Sequence, residues 1–170
     1  MDFTRYLRTF PNFPKKGILF YDISPLIGNG EVFQAAIDEM YTLTRHLSPT
    51  KIVAAEARGF LFGPPLALRF SIGVVPIRKS GKLPGVTISA SCSLEYGQDI
   101  LHMQADALSQ NDRVLIVDDV LATGGTVTAM KDLVLRAGAS IVGCVMLIEL
   151  NALRGREKLC DIPTYTLLQV

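Results

Sequence analysis

The stretch VLIVDDVLATGGT, residues 114–126, constrains the fold of this chain more than any other. An unbroken apolar run leads into two adjacent carboxylates, Asp118 and Asp119, and then through small residues into a helical pattern. A strand that is apolar at every position is typical of a parallel sheet covered on both faces. The segment therefore predicts an α/β fold, in which ligands bind beyond the carboxyl ends of the strands.

Apolar side chains at helical spacing predict further helices along the chain. The expected ranges are 33–47, 59–70 and 127–137. Pro64 and Pro65 fit only the first turn of the second helix, or a kink in it. Thr126 is expected to cap the third helix, and Gly138 stands just past its end.

Short apolar runs between these helices predict strands. The expected ranges are 52–55, 74–77, 101–105, 114–117, 141–147 and 165–168. Pro76 argues against a central position for its strand because proline donates no ladder hydrogen bond. Residues 81–98 are rich in Gly, Ser and Thr, and we interpret them as a mobile loop or flap. We find no repeat or linker, so the chain is predicted to be one domain, 1–170.

The loop after the two acids has the composition of a phosphate site. Small-residue loops offer backbone N–H groups, and the positive end of the following helix favours an anion. Thr123 and Thr126 can add hydroxyl donors, and a side chain at Gly124 or Gly125 would obstruct the approach of the anion. Neither a triphosphate P-loop nor a dinucleotide-binding glycine motif occurs in the sequence.

The carboxylates of Asp118 and Asp119 would repel a phosphate unless they hold something else. The natural candidates are ribose hydroxyls and a Mg²⁺ ion. Donors for a phosphate beside acceptors for a diol suit a ribose 5-phosphate. The alternative is an ordinary strand-to-helix turn, in which the two acids are solvated by water and bind no ligand.

The composition excludes several other classes of function. The net charge is +1, without a dense basic run, so nucleic acid is not an expected partner. The 3 cysteines form no CxxC pair and the 2 histidines lie far apart, which disfavours disulfides, zinc sites and a Ser-His-Asp triad. The first residues lack an apolar signal region, and no apolar run approaches the roughly 20 residues of a membrane span. A soluble cytoplasmic protein with no membrane partner is expected.

The 114–126 segment resembles the phosphoribosyl-pyrophosphate motif of the type I phosphoribosyltransferases. Other stretches, in the family's order, resemble the members of that family that use adenine. They are FPKKGILFYDIS (13–24), EARGFLFG (56–63), RKSGKLP (78–84) and SLEYG (93–97). The resemblance extends from about residue 10 to the end of the chain.

This resemblance implies a type I phosphoribosyltransferase-like fold, with a parallel-rich central sheet covered by helices, a small hood and a mobile flap. The hood, from about residues 1–30, would bind the base. The implied activity is purine salvage, in which adenine and phosphoribosyl pyrophosphate give AMP and pyrophosphate. Mg²⁺ accompanying phosphoribosyl pyrophosphate and a homodimer are also implied, with no direct protein ligand assigned to the metal.

The resemblance also assigns residues to the phosphoribosyl group and to pyrophosphate. The 5-phosphate is expected against the loop formed by Ala122, Thr123, Gly124, Gly125 and Thr126. Asp118 and Asp119 are placed against the ribose hydroxyls. Arg58 is assigned to pyrophosphate, in a loop with a cis peptide at Glu56–Ala57. Further candidates for pyrophosphate, acting in one subunit or across a dimer, are Arg78, Lys79 and Lys82.

The remaining assignments concern the base and the flap. Glu95 matches the family's catalytic glutamate, which exchanges a proton with N7 of adenine, and Tyr96 stands beside it in the flap. Phe20 matches an aromatic residue that stacks on the base, and the backbone of Tyr21 would read the edge of the base.

Two alternatives remain open at this stage. The same chemistry could use a 6-oxopurine such as xanthine, because no residue type by itself distinguishes adenine from those bases. A regulatory module could sense phosphoribosyl pyrophosphate without turning it over, although such modules usually add a DNA-binding domain or lose the flap glutamate. The chain retains Glu95.

Overall fold

The structure is a computed structural model of the 170-residue chain, and it describes residues 1–94 and 97–170. The strands are β1 (Arg8–Pro11), β2 (Leu19–Asp22), β3 (Lys51–Ala55), β4 (Gly73–Lys79), β5 (Thr87–Leu94), β6 (Gly97–Gln104), β7 (Arg113–Leu121), β8 (Ser140–Glu149) and β9 (Thr164–Gln169). The α-helices are α1 (Ser24–Ile27), α2 (Gly30–Thr44), α3 (Gly59–Phe70) and α4 (Gly125–Arg136). Short 3-10 turns lie at Phe3–Tyr6, Arg45–Leu47, Asn151–Leu153 and Gly155–Leu159.

The central sheet has the order β5-β6-β4-β3-β7-β8-β9 within the described residues. Strands β4, β3, β7, β8 and β9 run parallel to their neighbours in this group. The ribbon of β5 and β6 joins β4 in antiparallel pairing. The predicted α/β fold with a parallel-rich sheet is confirmed.

Helices cover both faces of the sheet and explain why its strands are apolar throughout. On one face, Val114 and Ile116 of β7 pack with Met130 of α4. On the other face, Leu115 and Val117 pack in the cluster that also contains residues of α1, α2 and α3. Alternate side chains of one strand therefore enter two separate cores, so neither set can be polar. No helix among the described residues is long and apolar enough to cross a membrane.

Of the two arrangements predicted for Pro64 and Pro65, the first turn of α3 was wrong, because both residues lie further inside the helix. The predicted cap of α4 was also wrong. The N-cap residue is Gly124, with a φ of +79° and no side-chain capping hydrogen bond, and Thr126 lies within the helix. Glycine reaches this left-handed conformation without the steric cost that threonine would meet. The helix ends before Gly138, which has a φ of +83°, as expected.

The sequence predicted a mobile loop or flap at residues 81–98, but most of the described residues in this range belong to strands. From Thr87 the described chain forms β5 and then β6, paired from Thr87↔Gln104 to Leu94↔Gly97. Ala90 and Cys92 are buried while Ser89 and Ser91 are exposed, which is the period-2 burial of a strand. Ser89 and Ser91, two of the small polar residues that suggested a loop, occupy the outer face of this ribbon.

Strand β4 is internal to the sheet although it contains Pro76. The pairing of β4 with β6 covers only Arg78 and Lys79. Pro76 pairs with Ala54 of β3 on the other side. The proline therefore lies in the part of β4 that the β6 ladder does not reach, where its missing N–H costs no sheet hydrogen bond.

Before α1 the chain forms a separate small sheet in which β1 and β2 pair antiparallel, with Phe10 opposite Phe20. The sequence suggested only an irregular start here. The connection between the strands contains a cis Phe13–Pro14 peptide, and the ring of Phe13 packs edge-on against Phe20 at 5.2 Å. This ribbon forms one wall of the site described next.

Candidate active site

Strand β7 carries the two acids past the end of its neighbour. Pairing with β3 stops at Ala54↔Val117, whereas pairing with β8 continues to Leu121↔Glu149. Asp118 and Asp119 thus lie at the carboxyl end of the sheet, still within an extended strand. A cavity of about 380 Å³ opens there, lined by Glu56, Ala57, Arg58, Lys79, Asp118, Asp119, Val120, Ala122 and Thr126.

Both acids are deeply buried, with exposed fractions of 7% for Asp118 and 5% for Asp119. Burial, together with the neighbouring Asp119 charge, raises the pKa of Asp118 well above its ordinary value. Burial also raises the pKa of Asp119, against the opposing effect of the Arg58 guanidinium. Asp118 Oδ1 accepts the backbone N–H of Asp119 at 2.9 Å. The site therefore keeps acidic groups in a poorly solvated place, where hydroxyl donors of a ligand would stabilise their charged forms.

One oxygen of this pair lacks a hydrogen-bond donor. Arg58 Nε lies 2.8 Å from Asp119 Oδ2, but the approach lacks hydrogen-bond geometry. Within residues 1–94 and 97–170, Oδ2 is the buried side-chain oxygen or nitrogen left without a hydrogen-bond partner. Because buried polar atoms are nearly always satisfied, this oxygen points to a ligand donor.

The loop from Ala122 to Gly125 turns the chain from β7 into α4. Gly124, with a φ of +79°, is the N-cap residue of α4, and Thr126 in the first turn of that helix lines the same cavity as the two acids. The carbonyl of Gly124 accepts hydrogen bonds from the N–H and the hydroxyl of Thr128, at 2.9 and 2.8 Å. Ala122 and Thr126 line the cavity, while Thr123 is half-buried beside it. The helix end and the loop together offer an anion site.

The segment after β3 forms the opposite wall, and its expected cis peptide at Glu56–Ala57 is present. Glu56 binds Arg78 Nε at 2.9 Å and the backbone N–H of Lys79 at 2.7 Å. Burial alone would raise the pKa of Glu56, but these two donors prevail and lower it. Arg58, at the start of α3, is left facing the cavity.

The three additional basic candidates are placed differently from one another. Lys79 lines the cavity, and its Nζ lies 2.8 Å from Asp99 of β6. Arg78 is engaged by Glu56 and by the carbonyl of Lys82, at 3.3 Å. Neither Arg78 nor Lys82 belongs to the described cavity lining. The structure therefore places Arg58 and Lys79 on the same cavity and leaves Arg78 and Lys82 outside its lining.

A second cavity, of about 190 Å³, adjoins the first beneath the β1–β2 ribbon. Its lining is Pro14, Ile18, Leu19, Phe20, Tyr21, Arg58, Val120, Ala122 and Leu150. The Arg58 guanidinium carbon lies 5.6 Å from the centre of the Phe20 ring, within the range of a cation–π contact. Because Arg58, Val120 and Ala122 line both cavities, a ligand can extend from one to the other.

The sequence did not reveal most of the apolar lining of this second cavity. Pro14, Ile18, Leu19, Val120 and Leu150 carry no chemical group that distinguishes a binding residue from a core residue. Phe20 and Tyr21 do lie in the lining, as expected for a base-binding region. Glu95 and Tyr96, to which the flap roles were assigned, lie outside the described residues.

No group of three or more His, Cys, Asp or Glu side chains in the described ranges could enclose a metal ion. Asp118 and Asp119 of β7 offer two carboxylates as possible metal ligands, on the same cavity as Ala122 and Thr126 of the loop and helix end. Mg²⁺ commonly binds through one or two carboxylates plus phosphates of a substrate. The residues present therefore fit an ion that arrives with a phosphorylated ligand.

Comparison with known proteins agrees with this geometry. The family model described as "Phosphoribosyl transferase domain" matches residues 28–166. The adenine phosphoribosyltransferase of Solidesulfovibrio magneticus is 49% identical over 170 residues, covering 100% of this chain and 99% of that protein.

Solved structures extend the likeness to three dimensions. The crystal structure of adenine phosphoribosyltransferase from Thermoanaerobacter pseudethanolicus matches with a TM-score of 0.96 and 43% identity, covering 99% of this chain and 98% of that one. The Saccharomyces cerevisiae enzyme, complexed with D-2,5-dideoxy-2,5-imino-altritol 1,6-bisphosphate and adenine, matches with a TM-score of 0.91 and 40% identity. That match covers 98% of this chain and 96% of the yeast chain.

Proposed function

The chain belongs to the phosphoribosyltransferase family, as one of its adenine phosphoribosyltransferases, and we propose from this premise how its residues divide the work. The enzyme transfers the 5-phosphoribosyl group from 5-phosphoribosyl-1-pyrophosphate to adenine, giving AMP and pyrophosphate. It is a pentosyltransferase of purine salvage. The bond from C1′ of the sugar to pyrophosphate breaks, the bond from C1′ to N9 of adenine forms, and the base loses a proton.

The observation that carries the proposed assignment is the junction of the two cavities at Arg58, Val120 and Ala122. We assign the apolar cavity beneath the ribbon to adenine and the polar cavity to the phosphoribosyl group. The reacting C1′ then lies near the junction. A base and a sugar bound on either side of this junction would be held next to each other for the reaction.

The polar cavity supplies the groups that a phosphoribosyl group and pyrophosphate require. The Oδ2 of Asp119, which has an ion pair with Arg58 but no hydrogen-bond donor, supports a role in accepting a hydrogen bond from a ribose hydroxyl. Backbone N–H groups from Ala122 to Thr126 would bind the 5-phosphate. Arg58 and Lys79 face the same cavity and would bind the departing pyrophosphate, whose charge grows as the bond breaks. Arg78 and Lys82 remain candidates at its margin.

Mg²⁺ is proposed as the companion of phosphoribosyl pyrophosphate. When bound, it neutralises part of the pyrophosphate charge. Asp118 and Asp119 are the described carboxylates that could hold it, directly or through water. Phosphate oxygens of the substrate would supply other ligands, as is usual for this ion.

The proton of the base is assigned to Glu95. This residue follows β5, whose start and middle are anchored on the body of the protein. The proposed role is exchange of a proton with N7 while N9 forms its bond to C1′. The first 30 or so residues are proposed as the hood of a single domain, an assignment supported by Phe20 and Tyr21 in the base cavity.

A homodimer and a cytoplasmic location complete the proposal. The dimer is supported by two exposed apolar side chains on α3, Leu61 and Leu68, which are seven residues apart and so lie on the same side of the helix. The location is supported by three free thiols, Cys92, Cys144 and Cys160, since unpaired cysteines are typical of reducing compartments.

A panel of bases tests the substrate. Adenine, hypoxanthine, guanine and xanthine are each incubated with phosphoribosyl pyrophosphate and Mg²⁺, and nucleotide product is quantified by chromatography. We expect adenine to be preferred by orders of magnitude. Comparable turnover of xanthine or guanine would contradict the adenine assignment.

A pair of variants tests the site in the same assay. Asp119→Asn removes the carboxylate whose Oδ2 lacks a donor, so AMP formation should fall strongly. The control Asp106→Asn makes the same change on an exposed residue that lines neither cavity, and it should retain the parent rate.

A further inference from the structure

Glu149 is a buried carboxylate that no step of the proposed reaction uses. It ends β8, and its exposed fraction is 5%. Arg156 binds it through Nε, at 2.8 and 3.1 Å, and through Nη2. Thr166 and Gln169 of β9 donate to the same carboxylate, at 3.2 and 3.4 Å. This hydrogen bonding to Arg156 lowers the pKa of Glu149, so the pair is ionised at neutral pH.

Arg156 also holds the edge strand of the sheet. Its Nη1 donates to the carbonyl of Thr164 at 2.7 Å. The guanidinium is thereby fixed at the end of β8 and the start of β9. A planar guanidinium with several donors in use is a rigid attachment, which a lysine could not reproduce.

The residue before Arg156 lies against the back of the phosphate loop. A Cβ added to Gly155 would lie 2.2 Å from the carbonyl oxygen of Ala122 and 2.9 Å from the nitrogen of Gly124. A Cβ added to Gly124 would lie 2.7 Å from the carbonyl oxygen of Gly155. The two backbones are thus in direct contact, and any shift of one requires a shift of the other.

We propose that Glu149 and Arg156 are positioning residues for the 5-phosphate loop, which they hold in its binding shape through Gly155. The inference rests on the proposed function, because it takes Ala122 to Thr126 as the 5-phosphate site. Neither side chain lines the described cavities of the site. Their effect is to keep the backbone N–H groups of the loop aimed at the phosphate before the ligand arrives, since binding to a loop that must first be ordered is weaker.

The test is Arg156→Lys, which keeps the charge but loses the two-pronged contact with Glu149. Calorimetry measures the affinity of the protein for ribose 5-phosphate and, separately, for inorganic pyrophosphate. We expect the affinity for ribose 5-phosphate to fall by roughly tenfold or more, because the ligand must then order the loop as it binds. Pyrophosphate affinity should stay within about twofold, because Arg58 and Lys79 do not contact this pair.

Arg113→Lys is the matched control. Arg113 binds the carbonyls of Leu47 and Ser48 at the opposite end of β7, at 2.8 and 3.2 Å. The control also replaces an arginine by lysine and removes hydrogen bonds to two carbonyls, yet it should leave both affinities at the parent values. In steady-state assays, Arg156→Lys should raise KM for phosphoribosyl pyrophosphate more than it lowers kcat.

Glu149→Gln provides a second variant if Arg156→Lys does not fold, because the amide retains an acceptor for Arg156. It should show the same selective loss of ribose 5-phosphate affinity, to a smaller extent. Unchanged ribose 5-phosphate affinity in a folded variant, or an equal fall for both ligands, would overturn the inference. A parent protein that binds no ribose 5-phosphate would instead contradict the proposed function.

Discussion

Asp118 and Asp119 are acidic side chains in a place where water solvates them poorly. Burial raises the pKa of both, and their mutual repulsion adds to the effect on Asp118. A folded protein could avoid this cost with asparagine or an apolar residue. We attribute the presence of the two acids to the proposed ligand, because ribose hydroxyls and a cation would stabilise the charged carboxylates that the protein alone solvates poorly.

Asp118→Asn should therefore stabilise the ligand-free protein while weakening ribose 5-phosphate binding. A carboxyl whose pKa is raised on folding binds more protons in the folded state, so its contribution to stability falls as pH rises above the ordinary value of 3.8. The variant should melt at a higher temperature than the parent near pH 8, with the gap closing towards about pH 4.

Thermal denaturation across this pH range measures the effect, with Asp106→Asn as the exposed control. A gap of about 2–4 °C at the higher pH would correspond to a change of about 1 kcal/mol in a domain of this size. A variant that melts below the parent at about pH 8 would show that Asp118 is stabilised as an anion in the free protein.

Glu95→Gln separates chemistry from binding at the flap. The amide keeps the shape of the side chain but cannot exchange a proton with N7 of adenine. General acid–base groups contribute about 10²–10⁴-fold, so the chemical step should slow by that factor with little change in phosphoribosyl pyrophosphate affinity. Single-turnover measurement isolates the step from product release.

Glu39→Gln, on the exposed face of α2, is the matched control for this change and should keep the parent rate. If Glu95 only anchors the flap, the Gln variant should instead lose substrate affinity and keep a chemical step within about threefold of the parent.

At the scale of elements, helix α4 links the loop that begins at Ala122 to strand β5, which ends just before Glu95. The loop ends where α4 begins, and Arg136 in the last turn of α4 donates to the carbonyl of Ser89 in β5 at 2.9 Å. Cys92, further along β5, donates through Sγ to the hydroxyl of Thr126 at 3.7 Å. The chain before Glu95 is thus attached to the same helix whose N-terminus we propose as part of the 5-phosphate site.

Helix α3 depends on close contact with β3 for the position of Arg58. A Cβ added to Gly63 would lie 2.7 Å from the Cβ of Ala54. Gly63→Ala should therefore push α3 away from the sheet and lower the free energy of unfolding by about 1–3 kcal/mol, as overpacked core sites do. Denaturant titration measures this change.

Gly30→Ala is the control, since a Cβ there would meet no atom within 4 Å. At the first position of α2 it should be neutral or stabilise by up to about 1 kcal/mol. Equal effects of the two substitutions would show that α3 does not need the close approach at Gly63.

For the whole molecule, the surface of α3 predicts self-association. Leu61 is 39% exposed and lies one turn from Arg58. Sedimentation should show a dimer for the parent, and Leu61→Glu should shift it towards monomer because a charge in an apolar interface is poorly solvated. Leu135→Glu, at a site 52% exposed on α4, should remain dimeric. A fully active parent monomer at assay concentration would contradict the proposed assembly.

The sequence by itself determined the elements whose pattern is local. The apolar run of residues 114–117 and the small-residue loop after the two acids predicted a strand followed by a helix, because both patterns depend on neighbours in the chain. Gly138 ends α4 as expected, since its φ of +83° is a local requirement. The family resemblance then assigned Arg58 and Asp119, which the structure places on one cavity.

Only the tertiary structure decided the features that depend on distant residues. Ser89 and Ser91 read as loop residues because the partner strand and α4, which bury Ala90 and Cys92 beside them, are not visible in the sequence. Leu150 resembles any core residue until the β1–β2 ribbon closes over it. Packing joins segments that are far apart in the chain, and an apolar side chain carries no mark of whether its neighbour will be protein or ligand.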